Sequence, residues 1–275
     1  MLYDKEDRIK SSINFTLIIS IFFSTLITTI FTQHKLILKK ELLIVFCITT
    51  FLCTIFLIIS FKKKGYIDVT EELKVVGDRK KRYCTKCKIN KPERAHHCRR
   101  CNRCIKRMDH HCPWIGTCVN NDNFAHFIRF LFFSCVSSTI SSFLFISLIY
   151  AFFRNNPIKN NLIFSFFICF HFLLTTLISV FTFLFFIFNL NLLLKNLTFI
   201  EKNILEDMSA MGMIIKKNPY DLGKLKNLIV LLGKPYFLFL FGENIGNGIN
   251  FRKTYSIEEW PPVRLPFMYN YEIDL

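Results

Sequence analysis

Between Cys84 and Cys118 the chain carries seven cysteines and four histidines, residue types that bind metal ions and act as nucleophiles. Two Cys-x2-Cys knuckles begin at Cys84 and Cys98, and a knuckle lets two thiolates converge on one ion at about 2.3 Å. Six of the cysteines and two of the histidines fill two tetrahedral zinc sites. Cys112, within the sequence Asp-His-His-Cys at 109–112, is the thiol left over. We therefore expect two structural zinc ions and one reactive cysteine.

Disulfide pairing is the alternative for so many cysteines. Adjacent knuckles with this spacing are typical of metal sites in a reducing compartment, whereas disulfides persist in oxidising ones. The pattern favours zinc thiolates and a cytosolic location for this segment.

Four stretches without a charged residue surround the cysteine-rich segment and predict transmembrane helices. Of the 275 residues, 52% are hydrophobic and 33 are Phe, which is too apolar for an ordinary soluble domain. Each stretch reaches the about 20 residues that a helix needs to cross a bilayer. The stretches are residues 13–32, 42–61, 130–153 and 162–194. The expected fold is an all-α polytopic membrane protein with four transmembrane helices and a two-zinc domain between the second and the third.

The first stretch is expected to be an anchor rather than a cleaved signal peptide, because it is long and a second span follows closely. Lysines 62–64 follow the second span and Arg129 precedes the third, which favours a cytosolic zinc domain and, with an even number of spans, cytosolic termini. We expect an endomembrane location, Golgi or ER. The predicted domains are 1–61 (tail and first two spans), 62–126 (zinc domain), 127–194 (last two spans) and 195–275 (C-terminal region).

The net charge of +16 makes nucleic-acid binding an alternative function. However, the basic residues lie beside membrane spans, where they meet anionic headgroups or a phosphorylated ligand. The twelve-residue Cys-to-His spacing of DNA-reading zinc fingers does not occur. We therefore expect the lipid bilayer as a partner, and no nucleic acid.

The cysteine-rich segment resembles the core of the DHHC protein S-acyltransferases, also called palmitoyltransferases. The resemblance is carried by CTKC at 84–87, KPERAHHC at 91–98, DHHCPWIGTCVN at 109–120, the four spans, TFIE at 198–201 and NP at 218–219 with Asn227. It implies a protein-cysteine S-palmitoyltransferase with acyl-CoA as donor. The acyl group would pass through an S-acyl-enzyme intermediate on Cys112 to cysteines of cytosol-facing substrate proteins at the membrane.

The resemblance also assigns the zinc ligands that spacing leaves open. One zinc would take Cys84, Cys87, His97 and Cys104, and the other Cys98, Cys101, His111 and Cys118. His96 remains as a support residue. Because this segment has little apolar core, zinc binding would supply its folding free energy.

Cys112 needs activation at neutral pH, since the pKa of a free thiol is about 8.5. His110 can remove its proton, and Asp109 can hold the imidazole in the required tautomer. One alternative is that Asp109 and His110 only satisfy a turn. Another is a non-catalytic membrane scaffold that retains the zinc fold and recruits partners.

Two residues are predicted to line the acyl-chain cavity. Trp114 suits the membrane interface and the cavity mouth, or it only packs. Ser137 belongs to a serine stripe at 134, 137, 138, 141 and 142, a pattern typical of close helix packing in membranes. The resemblance places it instead at the far end of the cavity, where a serine would admit acyl chains longer than about 16 carbons.

Three further expectations concern the flanking residues. Several basic side chains could contact the phosphates of CoA: Arg94, Arg99, Arg100, Arg103, Lys106 and Arg107. Phe199 stands where the family usually has a second threonine, so one hydrogen bond near Asp109, worth about 1 kcal/mol, is expected to be lost. In the C-terminal region we predict an amphipathic helix over 203–217, and helix with interfacial packing over 228–241, for which a fifth span is the alternative.

Overall fold

Three long apolar helices dominate the computed structural model, which describes residues 23, 25–28, 40–68, 82–155, 162–235, 240–257 and 260–261. Helix α1 comprises Lys40–Lys62, α2 Phe124–Asn155 and α3 Leu162–Leu194. Each contains a segment long and apolar enough to cross a membrane. They contain the second, third and fourth predicted spans. The first predicted span, 13–32, lies outside the described residues except for 23 and 25–28, which are helical.

One of two compact units consists of residues 16–58 and 128–189, and thus of most of these three helices. Hydroxyl pairs join α2 to α1 and to α3: Thr50 with Ser137 at 2.5 Å, Ser142 with Thr176 at 2.6 Å, and Thr139 with Ser179 at 2.6 Å. In an apolar medium a hydroxyl gains most from another polar group on a neighbouring helix. The serine stripe of α2 therefore contributes to helix packing, as one reading of the sequence predicts.

Three short antiparallel hairpins lie in the other compact unit, whose described residues fall within 59–127 and 190–275. Strand β1 (Tyr83–Cys84) pairs with β2 (Ile89–Asn90), β3 (His96–Cys98) with β4 (Arg103–Ile105), and β5 (His110–Cys112) with β6 (Thr117–Val119). The all-α expectation is therefore wrong for the cysteine-rich segment. The physical reason is that each Cys-x2-Cys-type turn reverses the chain before a helical turn can close.

Two short helices of this unit follow α3. Helix α4 comprises Phe199–Ala210 and α5 comprises Lys224–Leu232. The apolar face of α4, formed by Ile200, Ile204 and Met208, packs on Ile105 and Met108 of the hairpin segment.

The prediction of a helix over 203–217 is wrong in its bounds. Helix α4 begins four residues earlier, at a capping box in which the Thr198 hydroxyl accepts from the Glu201 N–H and Glu201 accepts from the Thr198 N–H. It ends at Ala210, because Gly212 adopts a φ of 69°. Likewise α5 ends before Gly233, whose φ is 91°, so the helix predicted over 228–241 stops early. Residues 236–239 lie outside the described part of the chain.

Candidate active site and metal centres

The three hairpins repeat one local geometry. Four residues after Cys84, Cys98 and Cys112 the chain turns through a left-handed residue: Lys88 with φ 55°, Asn102 with φ 51° and Gly116 with φ 65°. In the first two turns a second cysteine stands three residues after the first, and its N–H donates to the first sulfur at 3.4 Å. The third turn has Ile115 at that position. It is a knuckle with only one cysteine.

The first predicted ligand quartet is brought together. One donor atom from each of its residues lies within 4.8 Å of the others: Cys84, Cys87, His97 and Cys104. The three sulfurs lie 3.5, 3.3 and 3.9 Å from Nδ1 of His97. A zinc tetrahedron with bonds of about 2.3 Å to sulfur and about 2.0–2.1 Å to nitrogen has sulfur–nitrogen edges of about 3.6 Å. The donor set fits zinc.

The second quartet has the same form and consists of Cys98, Cys101, His111 and Cys118. Its sulfurs lie 3.5, 3.4 and 3.6 Å from Nδ1 of His111. The sulfurs of Cys101 and Cys118 are 3.6 Å apart, close to the edge of about 3.8 Å that two thiolates on one zinc would make. His96, predicted to be a support residue, pairs with Ile105 in the ladder and belongs to neither quartet.

Each quartet takes its donors from two successive hairpins. Each takes two knuckle cysteines from one hairpin and a cross-strand pair from the next, His97 with Cys104 or His111 with Cys118. The described residues contain no fourth hairpin of this kind to receive the third knuckle. Cys112 therefore holds a ligand-like position but lies outside both quartets.

Beside Cys112, the Asp109 and His110 side chains form a hydrogen-bonded pair. Nδ1 of His110 lies 2.7 Å from Oδ2 of Asp109, which is fully buried. Burial by itself lowers the pKa of His110, but hydrogen bonds to Asp109 and Cys112, and the charges of both, raise it to about 10. Because Asp109 accepts from Nδ1, the other ring nitrogen is the one available to the thiol. The arrangement can carry a proton away from Cys112.

Asp109 is itself held by backbone donors and acceptors. Its N–H donates to the Val119 carbonyl at 2.9 Å, and its Oδ1 accepts from the Phe199 N–H at 3.1 Å. Phe199 is the first residue of α4, so the positive end of that helix faces the carboxylate. This backbone donor is present whatever residue stands at 199, so it contacts Asp109 even without the threonine hydroxyl that the family usually has.

Two of the predicted CoA-binding arginines are instead buried. Arg94 is 3% exposed and donates to both carboxylate oxygens of Glu201 and to the side chain and carbonyl of Asn196. Arg107 is fully buried, and burial together with the charge of Arg94 lowers its pKa to about 9, while Glu201 and Asp109 oppose this shift. The prediction that they contact CoA is wrong, because neither side chain reaches solvent. Arg103 is exposed, and Arg99, Arg100 and Lys106 are half-buried.

The two predicted acyl-cavity residues lie in different units. Trp114, in the turn of the third hairpin, is 46% exposed. Ser137, on α2, is buried with its hydroxyl against that of Thr50.

A family model described as DHHC palmitoyltransferase matches residues 78–205, the segment that contains both quartets, Cys112 and the start of α4. Residues 78–205 therefore form a DHHC-type segment. Palmitoyltransferase PFA4 of Candida glabrata is 37% identical over 221 residues, covering 62% of this chain and 58% of the relative. The probable protein S-acyltransferase 16 of Arabidopsis thaliana is 32% identical over 183 residues, covering 64% and 63%.

A shorter match to palmitoyltransferase PFA4 of Kluyveromyces lactis is 65% identical over 68 residues, 25% of this chain and 18% of that protein. These matches thus span less than two thirds of each relative. The identity over this short match is higher than over the two longer ones.

Proposed function

We propose that this protein is a protein-cysteine S-palmitoyltransferase that moves a long-chain acyl group from acyl-CoA to cysteines of substrate proteins. The observation that carries the proposal is the position of Cys112. It occupies the first-cysteine position of a zinc knuckle, lies outside both quartets, and hydrogen-bonds to a histidine that Asp109 orients. The names of the two relatives, palmitoyltransferase and probable protein S-acyltransferase, agree with this chemistry.

In the first half-reaction the proton of the Cys112 thiol passes to His110, and the sulfur attacks the thioester carbonyl carbon of acyl-CoA. The bond between that carbon and the CoA sulfur breaks as the new thioester forms. The departing CoA sulfur takes the proton back from His110. Asp109 holds the imidazole in place and stabilises its charged form throughout.

In the second half-reaction a substrate cysteine gives its proton to His110 and attacks the acyl group on Cys112. The Cys112 thiolate leaves and regains the proton from His110. One thioester replaces another, so the two states are nearly balanced and catalysis depends chiefly on orientation.

The two quartets would hold structural zinc, which when bound supplies folding free energy to a segment whose strands have only two or three residues. All four donors of each quartet come from side chains, so no open coordination position is left for a reactant. The reactive atoms are those of Cys112, His110 and Asp109.

The acyl chain is proposed to lie among the membrane spans, since each buried CH₂ contributes about 0.8 kcal/mol. Ser137 is proposed to limit its length from α2, and Trp114 to lie at the membrane interface. Basic residues beside the spans and the need for reduced thiols favour cytosolic termini and a cytosolic catalytic domain, in a Golgi or ER membrane. Substrates would then be cytosol-facing proteins.

Autoacylation tests the proposal. The full-length protein in nanodiscs, incubated with labelled palmitoyl-CoA, is expected to acquire label that hydroxylamine removes. Cys112→Ser should abolish that label. Cys169→Ser, at an exposed cysteine outside the DHHC segment, is the matched control and should retain it. Absence of label from the wild-type protein, with two zincs bound, would instead support a non-catalytic scaffold.

A further inference from the structure

Two phenylalanine rings pack against the His110 imidazole. The centroid of Phe127 is 5.7 Å from that of His110 with an interplanar angle of 68°, and that of Phe199 is 6.2 Å away at 75°. Both are edge-to-face arrangements within the range of favourable aromatic pairs. The Asp109 bond fixes one nitrogen of the ring, but it leaves rotation about that contact free. Edge contacts from two rings restrict this rotation.

Phe199 contacts both partners of the Asp109–His110 pair. Its N–H donates to Asp109 and its ring packs against His110. The residue is held firmly, since it follows the Thr198 cap and lies two residues before Glu201, whose carboxylate binds the buried Arg94. The ring, in contrast, is half-buried and not part of the core cluster under α4.

We propose that Phe199 is a positioning residue for acyl transfer, whose ring fixes the plane of His110 so that Nε2 faces Cys112. This assignment rests on the proposed function. The side chain at 199 then acts on the rate of the chemical step, because its ring packs against the imidazole that moves the proton.

Side-chain variants at position 199 test the proposal, because the backbone N–H to Asp109 persists in all of them. In the full-length protein, Phe199→Leu is expected to lower kcat for transfer to a cysteine peptide by about tenfold. KM for palmitoyl-CoA should change by less than about twofold, which separates positioning from binding. Phe199→Tyr keeps the ring and should retain kcat. Phe61→Leu, at a half-buried ring of the same unit that contacts Lys64, is the control and should change neither.

Three outcomes would overturn the proposal: full kcat in Phe199→Leu, an equal loss in Phe199→Tyr, or loss of zinc in Phe199→Leu, which would make the effect structural. Failure of the proposed function itself is recognised separately. In that case the wild-type protein would carry no label on Cys112, and the proposed role of Phe199 would be wrong as well.

Discussion

Arg94 and Glu201 form a bidentate ion pair across 107 residues of chain, with Nε to Oε1 at 2.7 Å and Nη2 to Oε2 at 2.8 Å. The side chains are 1% and 3% exposed. The same carboxylate accepts the Thr198 N–H at 2.9 Å in the capping box of α4. Glu201 thus joins the hairpin segment to the start of the helix whose first N–H holds Asp109.

Glu201→Gln is predicted to destabilise the unit that contains the three hairpins strongly. It leaves a buried guanidinium without its counter-charge, a change that typically costs about 3 kcal/mol. For a chain of this size the thermal midpoint should fall by roughly 10 °C. Scanning fluorimetry of the detergent-solubilised protein measures this shift.

Glu206→Gln is the matched control for that experiment. Glu206 lies on the same helix but forms an exposed pair with Lys202 at 2.6 Å, and such pairs contribute less than about 1 kcal/mol. Equal shifts of the thermal midpoint for the two variants would show that the buried pair with Arg94 contributes no more stability than the exposed pair.

Zinc content is predicted to separate Cys112 from its neighbours. Cys112→Ala should abolish autoacylation and transfer yet retain two zincs per chain, because its sulfur belongs to neither quartet. His97→Ala and Cys118→Ala each remove a donor from a different quartet and should lose zinc, protease resistance and activity. Metal analysis of purified protein checks this, and loss of one zinc from Cys112→Ala would show that the ligand assignment is wrong.

Much of the candidate site could be predicted from residue types and spacing, because metal chemistry requires particular donors at short separations. The third helix was predicted at its observed bounds, Leu162–Leu194, since a charge-free run of that length leaves few alternatives. The role of Arg94 could not be predicted. Its partner lies 107 residues away in the sequence. An arginine in a segment rich in charged residues is expected at the surface, and only the fold shows that it is buried.

The hydrogen bond from Phe199 to Asp109 illustrates a second limit. A sequence specifies side chains, but every residue carries the same N–H, so a hydrogen bond from the backbone leaves no signal in the residue type. The sequence did not predict the hairpins of the cysteine-rich segment, because strands of two or three residues are too short to show a periodicity.

Ser137→Phe is predicted to shift acyl-chain preference towards shorter chains. Phenylalanine would fill the space of roughly two or three CH₂ groups, each contributing about 0.8 kcal/mol, and would break the hydroxyl pair with Thr50. A competition series of acyl-CoA lengths measures the preference. Ser147→Phe makes the same substitution on the same helix, at a serine whose hydroxyl bonds only locally to Phe143, and should leave it unchanged. If Ser137→Phe is active and its preference for acyl-chain length is unchanged, Ser137 contributes to helix packing and does not limit the chain length.

The most direct test of the account is to locate the acyl group after a single turnover. The full-length protein is mixed with palmitoyl-CoA without a protein substrate, quenched in acid, digested and examined by mass spectrometry. We predict one palmitoyl thioester on the peptide that contains Cys112, and its disappearance when a cysteine substrate is added before the quench. An acyl group found only on other cysteines, or one on Cys112 that no substrate removes, would contradict transfer through this residue.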